Sequence, residues 1–191
     1  MMKKGRLFVI SAPSGTGKST VLACVRKRLS YLEFSVSCTT RERRQGEVAG
    51  VDYRFVGRDD FRKMADDGGF VEWAEVHGEL YGTPRAPIED ALSSGSDMIL
   101  DIDVQGGMAI KDAFPDAIAV FLLPPDMEEL ERRLSGRATD SEDQIRLRLE
   151  NARREMSYAE RYDRRIVNDE VGRACEELCD LIDGTRESRV G

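Results

Sequence analysis

Nine consecutive residues carry the clearest chemistry in this chain: Ala12-Pro13-Ser14-Gly15-Thr16-Gly17-Lys18-Ser19-Thr20. They follow the pattern G-x-x-x-x-G-K-[ST], with Ala12 at the first glycine position. Gly15 and Gly17 let the backbone turn its N–H groups inward as a nest, and a helix starting near Lys18 adds its positive dipole end. Lys18 then reaches the β- and γ-phosphates of a nucleotide, and the Ser19 hydroxyl ligates Mg²⁺. A glycine-rich loop that merely joins a strand to a helix is the bland alternative. The flanks favour the nucleotide: Arg6 to Ile10 is an apolar run suited to a buried strand, and Val21, Leu22, Val25 and Leu29 recur on one helical face.

Four arginine-bearing patches lie outside this loop. Arg41, Arg43 and Arg44 follow a strand-like stretch, with Tyr53 nearby in sequence, and guanidinium forks with a phenol can grip a monophosphate. A solvated loop is the alternative there. Arg133 and Arg137 are four apart, hence on one helix face; Arg146, Arg148, Arg153 and Arg154 lie on a longer helix. Arginines on a closing cover can surround the equatorial oxygens of a transferring phosphoryl group. Arg161, Arg164 and Arg165 read as surface charge. Glu72 stands among Phe70, Ala74 and Val76 on one strand face, where its carboxylate needs hydrogen-bond donors. A guanine base offers two adjacent ones, although an edge strand in water would also accommodate it. Asp101 and Asp103 follow an apolar run and suit the Mg²⁺ region, or simply mark a strand end.

The elements that must position these groups alternate along the chain. Phe34, Val36 and Cys38 alternate as one strand, as do Val51, Tyr53 and Phe55; Asp59-Asp60 cap a short helix that Gly68-Gly69 ends. A strand at 70–76 leads through a turn at 77–79 to a helix with Thr83 as cap and Pro84 at its first position. Strands follow at 98–103 and 117–123. Asp126 with Glu129, and Ser141 with Gln144, each form a capping-box pattern, the second opening a helix to about Ala159. A short strand at 165–168 precedes a helical stripe of Val171, Ala174, Cys175, Leu178, Leu181 and Ile182. The expectation is an α/β fold: a phosphate-loop NTPase core with a parallel sheet flanked by helices, an inserted mixed-β subdomain at about 35–96, and a polar helical cover at about 135–160.

Composition sets limits on partners. A length of 191 residues suits one domain with insertions, and no run is apolar and long enough for a membrane span or a signal peptide. A net charge of −7 argues against a general nucleic-acid binder. Lysine occurs at 3, 4, 18, 27, 63 and 111, so arginine makes up 23 of the 29 basic residues, which fits small phosphorylated ligands. Cys24, Cys38, Cys175 and Cys179 lack CxxC spacing and read as core residues of a reduced, cytoplasmic protein. The single histidine, His77, makes a His-based zinc site or a Ser–His–Asp triad implausible.

APSGTGKST, SVSCTTRERRQGEVAGVDYRFV, FVEWAEVHGELYGTPR, ILDIDVQG, RLSGRATDSED and IVND, in this order and spacing, resemble the guanylate kinase family from about residue 6 to 184. The resemblance implies phosphoryl transfer from Mg·ATP to GMP, and to dGMP. It implies one domain over 4–184, with a core at 4–34, 97–134 and 162–184, a GMP-binding subdomain at 35–96 and a lid at 135–161. It puts ATP on Ala12, Pro13, Ser14, Gly15, Thr16, Gly17, Lys18, Ser19 and Thr20, with Arg133 and Arg137 on its phosphates and its adenine near Asn168. GMP falls to Ser37, Arg41, Arg44, Tyr53, Glu72, Tyr81, Thr83 and Asp101, and the metal to Ser19 and Asp101, the latter through water. Lys18, Arg41, Arg133, Arg137 and Arg148 are the expected catalytic residues. Two departures, Ala12 for glycine and Thr83 for serine, keep the needed conformation and hydroxyl. The rival within the resemblance is a non-catalytic guanylate-kinase-like binding module. A GTPase reading lacks its Asn-Lys-x-Asp motif.

Overall fold

The computed structural model of the chain describes residues 4–76, 78–135 and 142–187. In chain order it forms β1 (Leu7–Ser11), α1 (Lys18–Arg28), β2 (Glu33–Phe34), β3 (Cys38–Thr39), β4 (Arg54–Phe55), α2 (Arg58–Asp66), β5 (Phe70–Val76) and β6 (Glu79–Pro84). Then come α3 (Arg85–Ser94), β7 (Met98–Asp101), α4 (Val104–Ala113), β8 (Ile118–Leu123), α5 (Met127–Ser135), α6 (Glu142–Met156), a 3-10 turn (Ala159–Arg161), β9 (Arg164–Val167) and α7 (Val171–Glu187). One sheet has the strand order β2-β7-β1-β8-β9, with β2 parallel to β7 and β8 parallel to β9. A second runs β4-β3-β6-β5 and is mixed: β3 is parallel to β4 and antiparallel to β6, which is antiparallel to β5. The expected parallel sheet with an inserted mixed-β region is therefore present.

The chain divides into two compact units, Met1–Val9 with Leu32–Leu100 and Gln105–Ala117, and Ile10–Tyr31 with Asp101–Val104 and Ile118–Gly191. In the first, the mixed sheet has its own core of Cys38, Phe61, Phe70 and Leu80, with Phe61 stacked on Phe70 at 4.4 Å between ring centroids. A Cβ on Gly82 would lie 2.9 Å from Phe70, so this close approach of strand to ring requires glycine. Arg6, inside what reads as an apolar run, is buried in an ion pair with Asp97 (2.5 Å), which also accepts the Arg6 backbone N–H. Truncating either partner would strand a buried charge.

In the second unit β1 ends buried and α1 buries Val21, Leu22 and Val25, as the periodicity predicts. Helix α5 packs Leu130 and Leu134 against Leu149 and Ala152 of α6, so the expected polar cover has an apolar inner face. Helix α7 buries Ala174, Cys175, Leu178, Cys179 and Ile182. Among the described residues no helix is long and apolar enough to cross a membrane.

Several expectations need correction. Phe34 to Cys38 is not one strand: Ser35 N–H donates to the Ile99 carbonyl at the end of the β2 pairing, and β3 then joins the other sheet. Alternation cannot tell which partner a rung will find. Asp59 and Asp60 lie inside α2, whose N-cap is Gly57 with no side-chain cap bond. Thr83 and Pro84 close β6, and α3 starts one residue later without a side-chain cap; cross-strand pairing with β5 holds Thr83 extended. Glu79 is strand rather than turn, Asp103 lies beyond the end of β7, and Val171 is exposed. Asp126 does cap α5, its Oδ1 accepting the Glu129 N–H at 2.7 Å, whereas Ser141 lies outside the described residues. Cys24 and Cys175 are not free core thiols. They form a disulfide between α1 and α7, because two helix faces that meet bring together thiols 151 residues apart; Cys38 and Cys179 remain free and buried.

Candidate active site

The phosphate loop lies in the second unit, between β1 and α1. Gly15 (φ 91°) and Gly17 (φ 94°) both occupy the left-handed region, and both are crowded. A Cβ on Gly15 would sit 2.7 Å from Leu134 Cδ2, and one on Gly17 would sit 2.8 Å from Asn168 Nδ2. The two glycines thus satisfy backbone conformation and space together. Gly17 is the N-cap of α1 and has no side-chain cap bond. Thr20 N–H donates to the Gly17 carbonyl at 3.0 Å, and a helix N-terminus without a side-chain cap favours an anion. Ala12 and Pro13 are buried, while Ser14, Ser19 and Thr20 are exposed.

Side chains from distant elements brace this loop. Asn168, 1% exposed just after β9, donates from Nδ2 to the Thr16 carbonyl at 2.7 Å. Arg133 NH1 donates to the same carbonyl and to that of Asn168, both at 3.1 Å, and its Nε donates to Glu129. Hydrogen bonds from Arg132 and then Arg133 hold the Glu129 carboxyl at about 2. Arg148 reaches Ser14 Oγ at 2.8 Å, and Glu155 Oε2 accepts the Ser14 N–H at 3.4 Å. Burial raises the Glu155 pKa, and the Ser14 bond opposes that rise. The Asn168 Oδ1 and Thr16 Oγ1 atoms are buried without a hydrogen-bond partner among the described groups, polar positions of the kind a ligand or water satisfies.

Lys18 Nζ donates to the Ile102 carbonyl at 2.8 Å and pairs with Asp101 Oδ1 at 2.5 Å. The lysine is thereby anchored at the start of the loop helix, and Asp101, 45% exposed, is its counter-ion. Mg²⁺ takes hard oxygen donors and keeps several waters, so its protein share is small. The exposed Ser19 hydroxyl and the Asp101 carboxylate fit that donor set.

A second group of candidates lies in the first unit, on and beside the mixed sheet. Glu72 is directly opposite Thr83, at a register shift between Phe70 and Glu72. Such a bulge re-aims a side chain. Thr83 Oγ1 donates to Glu72 Oε1 at 2.5 Å, so the hydroxyl expected to cap a helix instead orients the carboxylate. Tyr81, two residues before Thr83 on β6, shares its face about 7 Å along the strand. The Tyr81 and Tyr53 rings meet edge-on at 6.0 Å, and the Arg41 guanidinium carbon lies 5.5 Å from the Tyr53 centroid. Arg44 is exposed, and Ser37 is half-buried with its carbonyl bonded to Arg54 N–H. Sequence reasoning missed one member of this cluster, Glu47: its Oε1 and Oε2 accept from Arg41 NH2 and NH1 at 2.7 and 3.1 Å. A carboxylate six residues after an arginine in a polar loop gives no periodic signal.

The remaining predicted residues are accounted for individually. Arg137 lies outside the described residues. Asp101, expected beside both metal and GMP, belongs to the second unit, and its contact there is Lys18. Arg161, Arg164 and Arg165 are exposed, as expected of surface charge.

A parallel α/β sheet whose first strand runs through a two-glycine loop into a lysine-bearing helix defines a phosphate-loop nucleotide-binding protein. The guanylate kinase family model matches residues 4–185. Curated guanylate kinases are similar over nearly the whole chain: that of Nocardia farcinica is 49% identical over 96% of this chain and 96% of its own. That of Sphingopyxis alaskensis is 47% identical over 98% and 86%. The crystal structure of guanylate kinase from Anaplasma phagocytophilum superimposes with a TM-score of 0.75 at 32% identity, covering 97% of this chain and 88% of that one. This chain belongs to the guanylate kinase family.

Proposed function

We propose that this chain is an ATP:GMP phosphotransferase, moving the γ-phosphoryl group of Mg·ATP to GMP or dGMP to give the nucleoside diphosphate and ADP. The observation that carries this reading is the presence of two cationic constellations of different kind. One is a phosphate loop with its lysine anchored; the other is an arginine–tyrosine cluster, with the Thr83-held Glu72 carboxylate on the same mixed sheet. A binding module that had lost catalysis would need no such lysine, and function is argued from the site.

On this reading the acceptor phosphate, a dianion at neutral pH, attacks the γ-phosphorus in line and needs no strong general base. Arg41, Arg44, Tyr53 and Tyr81 hold that phosphate, while Glu72 accepts the two guanine donors and Ser37 with Thr83 completes base recognition. Lys18 leaves Asp101 for the β- and γ-phosphates. Arg133, Arg137 and Arg148 serve the equatorial oxygens, Arg133 and Arg148 leaving their loop contacts to do so. Ser19 and, through water, Asp101 would hold Mg²⁺, which would supply charge neutralisation for the transferring group. Catalysis is then positioning and electrostatics. Residues 35–96 act as the GMP-binding subdomain and 135–161 as a lid that excludes water, on a core of 4–34, 97–134 and 162–184. No nucleic-acid polymer or membrane takes part.

The test is ADP release with GMP, dGMP, AMP and dTMP as acceptors, beside Lys18→Ala. Turnover is expected with the guanine acceptors alone, and the variant should lose about 10²–10³-fold or more with its thermal midpoint retained. Near-normal activity of folded Lys18→Ala overturns the assignment. A cytoplasmic site of action follows from the nucleotide pools it uses. A disulfide is unusual there, so alkylation trapping of Cys24 and Cys175 at lysis tests the compartment.

A further inference from the structure

We propose that the Cys24–Cys175 disulfide is a redox switch on the donor-nucleotide site: oxidised, it holds α1 and α7 in the register that braces the phosphate loop, and its reduction weakens ATP binding while GMP binding stays as it was. This rests on ATP occupying the phosphate loop. The two helices lie side by side with their N-termini at the same end, as three successive rungs establish. Cys24 is bonded to Cys175, the Arg28 guanidinium acts on the Cys179 thiol, and Tyr31 Oη donates to Asp183 Oδ1 at 2.5 Å. The covalent rung stands nearest the loop. Helix α1 opens at Lys18, about 9 Å along its axis from Cys24, and α7 opens at Val171, about 6 Å from Cys175.

The loop is braced across the same two segments that the disulfide joins. Just before α7, Asn168 Nδ2 donates to the Thr16 carbonyl at 2.7 Å and fills the space that Gly17 leaves by lacking a Cβ. The Asn168 backbone is tied independently, its N–H to the Leu123 carbonyl at 2.8 Å and its carbonyl to Arg133 NH1 at 3.1 Å. With Asn168 fixed, freedom gained between the helices falls on the α1 side, where the loop is. A loop held against its brace loses less freedom when a nucleotide binds.

The bond also has a reachable end. Cys24 is half-buried, whereas Cys175 is fully buried. A thiolate from a dithiol reductant attacks Cys24 Sγ, the S–S bond breaks, and Cys175 leaves as a thiolate that takes up a proton. The second thiolate of the dithiol then attacks its own sulfur in the mixed disulfide and releases Cys24, which is protonated in turn. Two electrons pass to the protein, and the dithiol ends as a disulfide. Cys179, four residues after Cys175, stays out of this exchange: burial pushes its thiol up against the pull of Arg28, and a protonated thiol is a poor nucleophile. In the cytoplasmic setting proposed above, disulfides are more often redox-sensing than structural.

The experiment compares the oxidised chain, its bond verified by alkylation and mass, with the same chain reduced by dithiothreitol and then reoxidised. Kd for ATP and for GMP is titrated below the thermal midpoint of the reduced form. Reduction is expected to raise Kd for ATP about 5-fold or more, leave Kd for GMP unchanged, and be reversed by reoxidation. Cys24→Ser, or Cys175→Ser in its place, should match the reduced chain and ignore dithiothreitol. In Asn168→Ala the oxidised and reduced forms should bind ATP alike. Unchanged ATP affinity with the bond verifiably broken overturns the proposal, as does an equal loss of ATP and GMP affinity. So does a full-sized response to dithiothreitol that survives in Cys24→Ser or in Asn168→Ala. If neither form binds ATP, the phosphate-loop reading fails first and takes this one with it.

Discussion

Glu72 owes its orientation to one hydroxyl across the strand pair. Thr83 Oγ1 uses its single hydrogen on Oε1, and a carboxylate retains lone pairs on both oxygens to meet two further donors. An amide cannot, because one of its ends becomes a donor that faces the guanine N–H groups. Glu72→Gln is therefore expected to lower kcat/KM for GMP relative to AMP by about 10–100-fold, through one or two unmade charge-assisted bonds. An unchanged GMP-to-AMP ratio in a coupled assay would remove Glu72 from base recognition. At this scale the sequence is most informative where a residue type is chemically out of character. A carboxylate among Phe70, Ala74 and Val76 invites the question of its partner, and arginines beside a tyrosine invite an anion. It is silent where a residue serves another: Glu47 and Glu129 look like ordinary surface acids until Arg41 and Arg133 are seen on them.

At the level of elements, the start of α1 concentrates the constraints. Gly17 combines a left-handed φ of 94° with an added Cβ that would lie 2.8 Å from Asn168 Nδ2, the donor that braces the Thr16 carbonyl. Gly17→Ala should displace Asn168, strain the turn and lower stability by about 1–3 kcal/mol, with a rise in KM for ATP that exceeds any change for GMP. Equal effects on both substrates would indicate general unfolding rather than a local loop defect. The strand–loop–helix unit was legible because its apolar periods switch at the glycines. The ends of other elements were not. Thr83-Pro84 has the local signature of a helix start, yet pairing with Glu72 and Phe70 keeps both residues in β6. Cross-strand partners fixed that boundary, and no local signal competes with them.

On the scale of the molecule, the covalent link between Cys24 and Cys175 closes a long loop by tying the helix behind the phosphate loop to the C-terminal helix. Cross-links of this kind stabilise by about 2–4 kcal/mol, chiefly by restricting the unfolded chain. Reduction, or Cys24→Ser, should lower the thermal midpoint accordingly, while GMP-over-AMP selectivity, which the proposed function assigns to the mixed sheet, stays unchanged. A midpoint insensitive to reductant in the wild-type chain would show that the bond contributes nothing to stability. Cys38 and Cys179 are free and buried.

By itself the sequence determined the class of fold, the phosphate loop and the residue types proposed for the acceptor, because these depend on short-range periodicity and on residue types with few other uses. Tertiary structure alone decided which cysteines meet, that Asn168 and Arg133 converge on the Thr16 carbonyl, and that Thr83 turns to Glu72. Those are contacts between residues from 11 to 152 positions apart. Their geometry is set by how sheets and helices pack, and no local pattern in the chain encodes it.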